Sequence, residues 1–203
     1  WELIMASVLA FLMIKLNGVD REVVEKWLYV IVGLALFSGI LGTGHHYYWI
    51  GAPGYWQWIG SLFSTLEVAP FFTMILFTVH MTWKAGRNHP NRAALLWSVG
   101  CSVMAFIGAG IWGFLNTLSF VNYYSHGTQL TAAHGHLAFF GAYVMLNLAV
   151  MAYAIPELKG RAPYNQWLSI VRFWLMCSAM VVMTFALTFA GVVQIHLQRV
   201  MGQ

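Results

Sequence analysis

Two histidines separated by one glycine, His134 and His136, stand in the apolar stretch T-A-A-H-G-H-L-A-F-F-G-A-Y from Thr131 to Tyr143. On an α-helix each residue turns by about 100°, so positions i and i+2 lie about 200° apart and the two imidazoles leave opposite flanks of one rod. Such a helix can hold two iron porphyrins, one on each flank, and Gly135 and Gly141 leave flat surface against which a macrocycle can approach. A second constellation, G-I-L-G-T-G-H-H-Y-Y-W, sets His45 beside His46 after Gly39, Gly42 and Gly44. Neighbours on a regular helix diverge by about 100°, so this pair serves one metal only where glycines loosen the backbone. Imidazole suits iron, copper and zinc alike. Hydrogen-bonded core or rim histidines are the plain alternative for both pairs.

Two acids complete the candidate chemistry. Glu67 follows Ser64 and Thr65 and precedes Pro70, a residue that removes a backbone donor and can kink a helix beside the acid. Ionisable groups are costly in hydrocarbon and suggest function there. A carboxylate so placed is either protonated or close to a cation such as a metal, and both states suit proton delivery. Glu2 follows the same logic near the start of the chain. His80 and His89 fall near the opposite end of their segment, His126 in a loop before Gly127-Thr128, and His196 at a helix end.

The setting of these groups follows from composition. Of 203 residues, 60% are hydrophobic and 8% charged, against about a quarter charged in soluble domains. That is an integral membrane protein. The formal net charge of +4 belongs to loop lysines and arginines without a basic aromatic patch, so no nucleic-acid partner is expected. Cys101 and Cys177 lie inside apolar runs without metal-type spacing and read as small buried hydrophobes.

A spanning helix needs roughly 20 apolar residues, which the stretches near 24–43, 58–83, 94–118, 129–155 and 167–194 supply. The opening run, Trp1 to Leu16, reads as the second half of another helix. The expected fold is therefore all-α, a polytopic transmembrane bundle of five full spanning helices plus a partial one, forming a single domain over 1–203. The chain lacks an initiator methionine and opens inside an apolar run, so it is expected to be part of a longer protein.

Loop charges orient the bundle. Lys15, Arg21 and Lys26 flank the first connection, Lys84, Arg87 and Arg92 the third, and Lys159, Arg161 and Arg172 the fifth, nine of the ten basic residues. The positive-inside rule makes that side cytoplasmic. The second and fourth connections face outward, towards the periplasm in a bacterium. Their Tyr47, Tyr48, Trp49, Tyr55, Trp56, Trp58, Tyr123 and Tyr124 read as an interfacial aromatic belt. At about 1.5 Å rise per residue, His134 and His136 lie roughly 8–10 Å and Glu67 roughly 13 Å below the outer end of their helices. Glu2 lies roughly 20 Å above the inner end of its run by the same rise. The polar groups thus converge on one layer in the outer half of the membrane.

The motifs G-T-G-H-H-Y-Y-W, S-L-F-S-T-L-E-V-A-P-F-F, V-N-Y-Y-S-H-G-T-Q-L-T-A-A-H-G-H-L-A-F-F-G-A-Y and I-P-E-L-K-G-R resemble one branch of the haem-copper oxidase superfamily. That branch is the large catalytic subunit of bacterial cytochrome-c-dependent nitric oxide reductases. The resemblance covers essentially the whole chain and implies helices six to eleven of a twelve-helix subunit. It implies that His134 ligates a high-spin haem b and His136 a low-spin haem b on the opposite flank. His45 and His46 become two of three histidines on a non-haem iron. Glu67 becomes the membrane-embedded acid beside that iron and Glu2 another acid of the same region, while Thr117, Ser64 and Thr131 help orient protons or water. The third iron histidine, a glutamate ligand and the second low-spin haem histidine belong to earlier parts of the family's subunit, so this chain is not expected to complete either site.

The reaction implied is 2 NO + 2 e⁻ + 2 H⁺ → N2O + H2O, with electrons arriving from a cytochrome c subunit. The resemblance also suggests a calcium ion near the haem propionates, location in the bacterial inner membrane and an active site in its periplasmic half. A haem-copper oxygen reductase and a quinol-fed nitric oxide reductase are the near alternatives. A membrane cytochrome b that only conducts electrons is another, and a cofactor-free transporter bundle lies further off.

Overall fold

The computed structural model describes residues 2–85 and 89–202; Trp1 and Arg87, which entered the readings above, lie outside them. Helix α1 (Glu2–Asn17) is followed by α2 (Arg21–Gly42), which tightens into a 3₁₀ turn at Thr43–Tyr47. Helix α3 (Tyr55–Ser64) passes through a 3₁₀ turn at Thr65–Glu67 into α4 (Val68–Lys84). Helix α5 (Arg92–Ala105) widens into a π-helical stretch at Phe106–Gly113, continues as α6 (Phe114–Thr117) and breaks before α7 (Ser119–Ser125). Helix α8 (Gln129–Phe139) runs through a second π stretch, Phe140–Met145, into α9 (Leu146–Leu158). The last helix, α10 (Gln166–Ile195), ends in a π turn at His196–Val200.

Joined in this way, five rods among the described residues are long and apolar enough to cross a membrane: Arg21–Tyr47, Tyr55–Lys84, Arg92–Thr117, Gln129–Leu158 and Gln166–Val200. They match the five segments expected from sequence to within about six residues at each end, the third stopping one residue short at Thr117, and no strand occurs among the described residues. Local chemistry starts them. On the basic side Asp20, Asn91 and Asn165 cap α2, α5 and α10 by accepting from the backbone N–H groups of Glu22, Ala94 and Leu168. On the other side Thr128 caps α8 through Leu130 N–H. These side chains satisfy first-turn donors that have no partner within the helix.

Helix α1, read from sequence as half a span, buries one face in the bundle and leaves Ile4 and Phe11 exposed on the other. Met5, Leu9, Leu12 and Met13 are fully buried and meet Phe71, Met74 and Phe77 of α4 and Met145 beyond α8 in one apolar core. Helix α10 is the opposite case. Trp167, Trp174, Val182, Phe185 and Phe189 project outward along its length, as suits a lipid-facing surface. Cys101 and Cys177 are free and buried, as expected.

Each π stretch lies against the α segment that precedes the other, Phe106–Gly113 on α8 and Phe140–Met145 on α5. A Cβ on Gly108 would collide with the backbone of Leu137 and Ala138, and one on Gly141 with that of Met104 and Ala105. The α5 and α8 rods therefore approach backbone to backbone, as small residues allow in membrane bundles. This corrects the expectation for Gly141, whose bare face receives a neighbouring helix and not a macrocycle. Gly135 does keep open space around its Cα. Gly141→Leu is expected to destabilise the bundle by about 1–3 kcal/mol through overpacking, seen as a thermal midpoint several degrees lower in detergent.

Candidate metal centre

The loops and bends just described bring five of the six singled-out side chains to one place. Glu2, His45, His46, Glu67 and His134 line a single cavity of about 660 Å³, with Asn116, Thr117, His126 and Thr131 towards its mouth. That volume suits a cofactor or small-molecule site of roughly 300–1,000 Å³. His136 is not part of the lining and is exposed on the other flank of α8, as the i, i+2 spacing requires.

Each element sets its side chain for a stated reason. The turn at Thr43–Tyr47 is 3₁₀ in place of α, and it brings the His45 and His46 rings to 4.1 Å between centroids. Glycines act here by admitting neighbours more than by loosening the chain. Gly42 keeps helical angles, φ −58° and ψ −29°, yet a Cβ there would collide with the Glu67 carboxylate. A Cβ on Gly44 would lie 2.7 Å from the Trp56 ring and 3.1 Å from Gly60 Cα. Glu67 sits at the end of the Thr65–Glu67 turn, three residues ahead of the buried Pro70 of α4. The bend expected beside the acid is present in that form.

The hydrogen bonds fix which imidazole nitrogen faces outward. Ser64 Oγ donates to Gly42 O at 3.1 Å, so the 2.8 Å contact between His45 Nδ1 and Ser64 Oγ is an N–H donated by the ring. His134 Nδ1 donates to Gly108 O at 2.8 Å and His136 Nδ1 to Ala132 O at 2.8 Å. A neutral imidazole that donates through Nδ1 keeps a lone pair on Nε2. Metal-ligating histidines carry this same arrangement, the second ring nitrogen held by a carbonyl or polar partner. The donor set therefore fits metal or haem iron: three imidazoles pre-set to ligate through Nε2, with the His46 ring tilted at 42° against that of His45. Among the described residues no group of three or more His, Cys, Asp or Glu side chains gathers tightly enough to hold a metal ion alone.

Sequence reasoning missed Gly108, whose carbonyl in the Phe106–Gly113 π stretch accepts from His134. Its signal was the G-A-G run in F-I-G-A-G-I-W-G. It also placed Tyr48 in the interfacial belt. Tyr48 is 3% exposed and its hydroxyl is 2.8 Å from Thr117 O, so it belongs to the interior. Of the other residues read into that belt, Trp58, Tyr55, Tyr123 and Tyr124 are exposed. Thr131 lines the cavity, and the Thr117 hydroxyl donates to Phe114 O.

All 203 residues, 1–203, match the model of the family described as Cytochrome C and Quinol oxidase polypeptide I. The chain belongs to that family. Within it the chain is 58% identical to a nitric oxide reductase subunit of Stutzerimonas stutzeri over 204 residues, 98% of this chain and 43% of that protein. It is 29% identical over 182 residues to the cytochrome c oxidase subunit 1 homolog of Agrobacterium tumefaciens (strain T37), covering 87% of this chain and 33% of that protein. The Cbb3-type cytochrome c oxidase subunit CcoN1 of Stutzerimonas stutzeri is 24% identical over 181 residues, 86% and 37% of the two chains. The chain thus spans less than half the length of the curated relatives it matches. Membership agrees with the observed all-α membrane bundle, and it makes the protein a multi-pass membrane protein.

The Ser64 contact gives a direct check. Ser64→Ala removes the acceptor that holds His45 Nδ1–H, and metal retention at the His45–His46 pair is expected to weaken by about 10- to 100-fold, measured by chelator titration of the purified complex.

Proposed function

We propose that this chain is the metal-holding core of a nitric oxide reductase of the cytochrome c type, one transmembrane domain of a longer twelve-helix subunit. The observation that carries the reading is the cavity that gathers Glu2, Glu67, His45, His46 and His134. The 58% identity to the nitric oxide reductase relative, twice that to the two oxidase relatives, supports the reductase over an oxygen reductase.

In this reading His134 Nε2 ligates a high-spin haem b inside the cavity and His136 Nε2 a low-spin haem b on the outer flank of α8. His45 and His46 hold a non-haem iron, whose remaining ligands come from outside this chain. Bound there, the metals supply the electrons and the coordination at which two NO molecules become N2O and water. The protein's part is to hold, orient and protonate. The Ser64 and Gly108 contacts keep His45 and His134 in the ligating tautomer. Glu67, next to Gly42 one turn before His45, delivers a proton towards the site, and Glu2 relays from the same wall. The glutamate ligand that the family's subunit supplies from outside this chain would favour iron, a hard oxygen donor being foreign to copper sites built of nitrogen ligands.

Electrons would come from a cytochrome c subunit on the outer face, and the helix that carries both His136 and His134 would hold the two haems close enough for transfer between them. The complex resides in the bacterial inner membrane with its active site in the periplasmic half. A calcium ion near the haem propionates is part of the same reading.

Two measurements test it. The full-length complex is expected to contain two haems, three irons and no copper per catalytic subunit; one copper moves the assignment to an oxygen reductase. Glu67→Gln in that complex is expected to lower NO turnover at least tenfold with both haem bands unchanged, while undiminished turnover removes Glu67 from the proton route.

A further inference from the structure

The rod that carries Gly108 stops abruptly. Leu118 leaves the helical region at φ −72° and ψ 115°, between α6 and α7. The carbonyls of Asn116 and Thr117 therefore lose the N–H partners that a continuing helix would supply, and in hydrocarbon each must find another. Thr117 O finds two hydroxyls. It lies 2.8 Å from Tyr48 Oη and 2.9 Å from Ser61 Oγ, and those two oxygens are 2.7 Å apart. Ser119 N–H, on the far side of the break, donates to Ser61 Oγ at 3.1 Å. The triangle joins three elements: the residue two places after His46, helix α3, and the break that follows the π stretch holding His134.

The neighbouring residue makes a second tie. Trp49 adopts φ 61°, the one left-handed non-glycine among the described residues, a conformation costly for a bulky side chain unless its surroundings impose it. Its indole Nε1–H donates to Asn122 Oδ1 at 2.7 Å, and Asn122 Nδ2 donates to Asn116 O at 2.7 Å. Ser125 Oγ donates to Asn116 Oδ1 at 2.9 Å, and Thr131 Oγ1 donates to Ser125 O at 2.9 Å. The bonds thus run without interruption from the His45–His46 turn to the turn of α8 that precedes His134.

We propose that Tyr48 is a positioning residue: its hydroxyl, seated on the Thr117 carbonyl, sets the separation between the His45–His46 turn and His134. The role rests on the metal assignments above. Backbone atoms at the break cannot move independently of α6, so the tyrosine acts as a fixed-length strut. Its ring fills a buried slot while its oxygen replaces a missing helical N–H. Losing the hydroxyl leaves Thr117 O to Ser61 alone and frees the turn that carries the His pair to swing away from His134.

The test uses the full-length complex. Tyr48→Phe is expected to keep both haems at wild-type content but lose non-haem iron to a chelator about tenfold faster. Its high-spin haem should also show an uncoupled electron-paramagnetic signal that the wild type, with two irons held close, suppresses. Tyr47→Phe is the control, because its ring packs on Trp56 at 5.1 Å outside the triangle, and it should match wild type. If Tyr48→Phe fails to assemble, Ser61→Ala removes another corner and is expected to accelerate iron loss several-fold. Wild-type iron retention and an unchanged magnetic signal in Tyr48→Phe, or unchanged retention in Ser61→Ala where the first variant does not assemble, overturn the strut. A wild-type complex with haem but no non-haem iron instead overturns the functional reading itself.

Discussion

Inside hydrocarbon a backbone carbonyl or N–H without a partner costs several kcal/mol, and the whole of this site is arranged around meeting that demand where helices depart from α geometry. The rods of this bundle depart repeatedly: 3₁₀ turns at Thr43–Tyr47 and Thr65–Glu67, π stretches at Phe106–Gly113 and Phe140–Met145, a break at Leu118. Carbonyls at these departures take side chains: that of Gly108 is the acceptor for His134, and that of Gly42 takes the Ser64 hydroxyl which in turn receives His45. Irregular backbone and functional side chains are thus one structure. Wide-turn helices are often found at functional sites for this reason.

The apolar core explains why such departures are tolerated. Helix α1 contributes Met5, Leu9, Leu12 and Met13 from its buried face, in one cluster with Phe71, Met74, Phe77 and Met145. Phe71 also lines the cavity, so the polar site is carried directly on this core, around which α4, α5 and α9 run as regular helices. Caps at Asp20, Asn91 and Asn165 close the starts of three rods at the end where the basic residues gather.

Much of this was legible in the chain itself. Long apolar runs broken by charged loops locate five rods because a helix must be about 20 residues long to span a bilayer. The i, i+2 histidines had to diverge, and they do: His134 faces the cavity and His136 the opposite flank. The convergence of Glu2, Glu67 and the His45–His46 turn followed from counting depth along each rod. What stayed hidden was second-order. Periodicity does not distinguish a π stretch from an α-helix of the same apolar residues, so Gly108 went unnoticed. Tyr48 stands in an aromatic cluster whose other members are at the surface, and only the neighbouring helix break turns it inward. Gly141 looked like a place for a flat ligand, whereas the nearest flat object was the backbone at Ala105.

The packing of each π stretch on the other rod constrains chain length. Gly108 lies against Ala138 and Gly141 against Ala105, two antiparallel contacts in a single register. Inserting or deleting one residue between Ala105 and Gly108, or between Ala138 and Gly141, would let only one of these contacts form. A slip of one residue on α8 also turns His134 by about 100°, away from the cavity and from the carbonyl that holds it. The spacing along these intervals is therefore fixed independently of which residues fill it. Substitutions can accumulate at Phe139 or Val144, which face outward, while the count of residues stays constant.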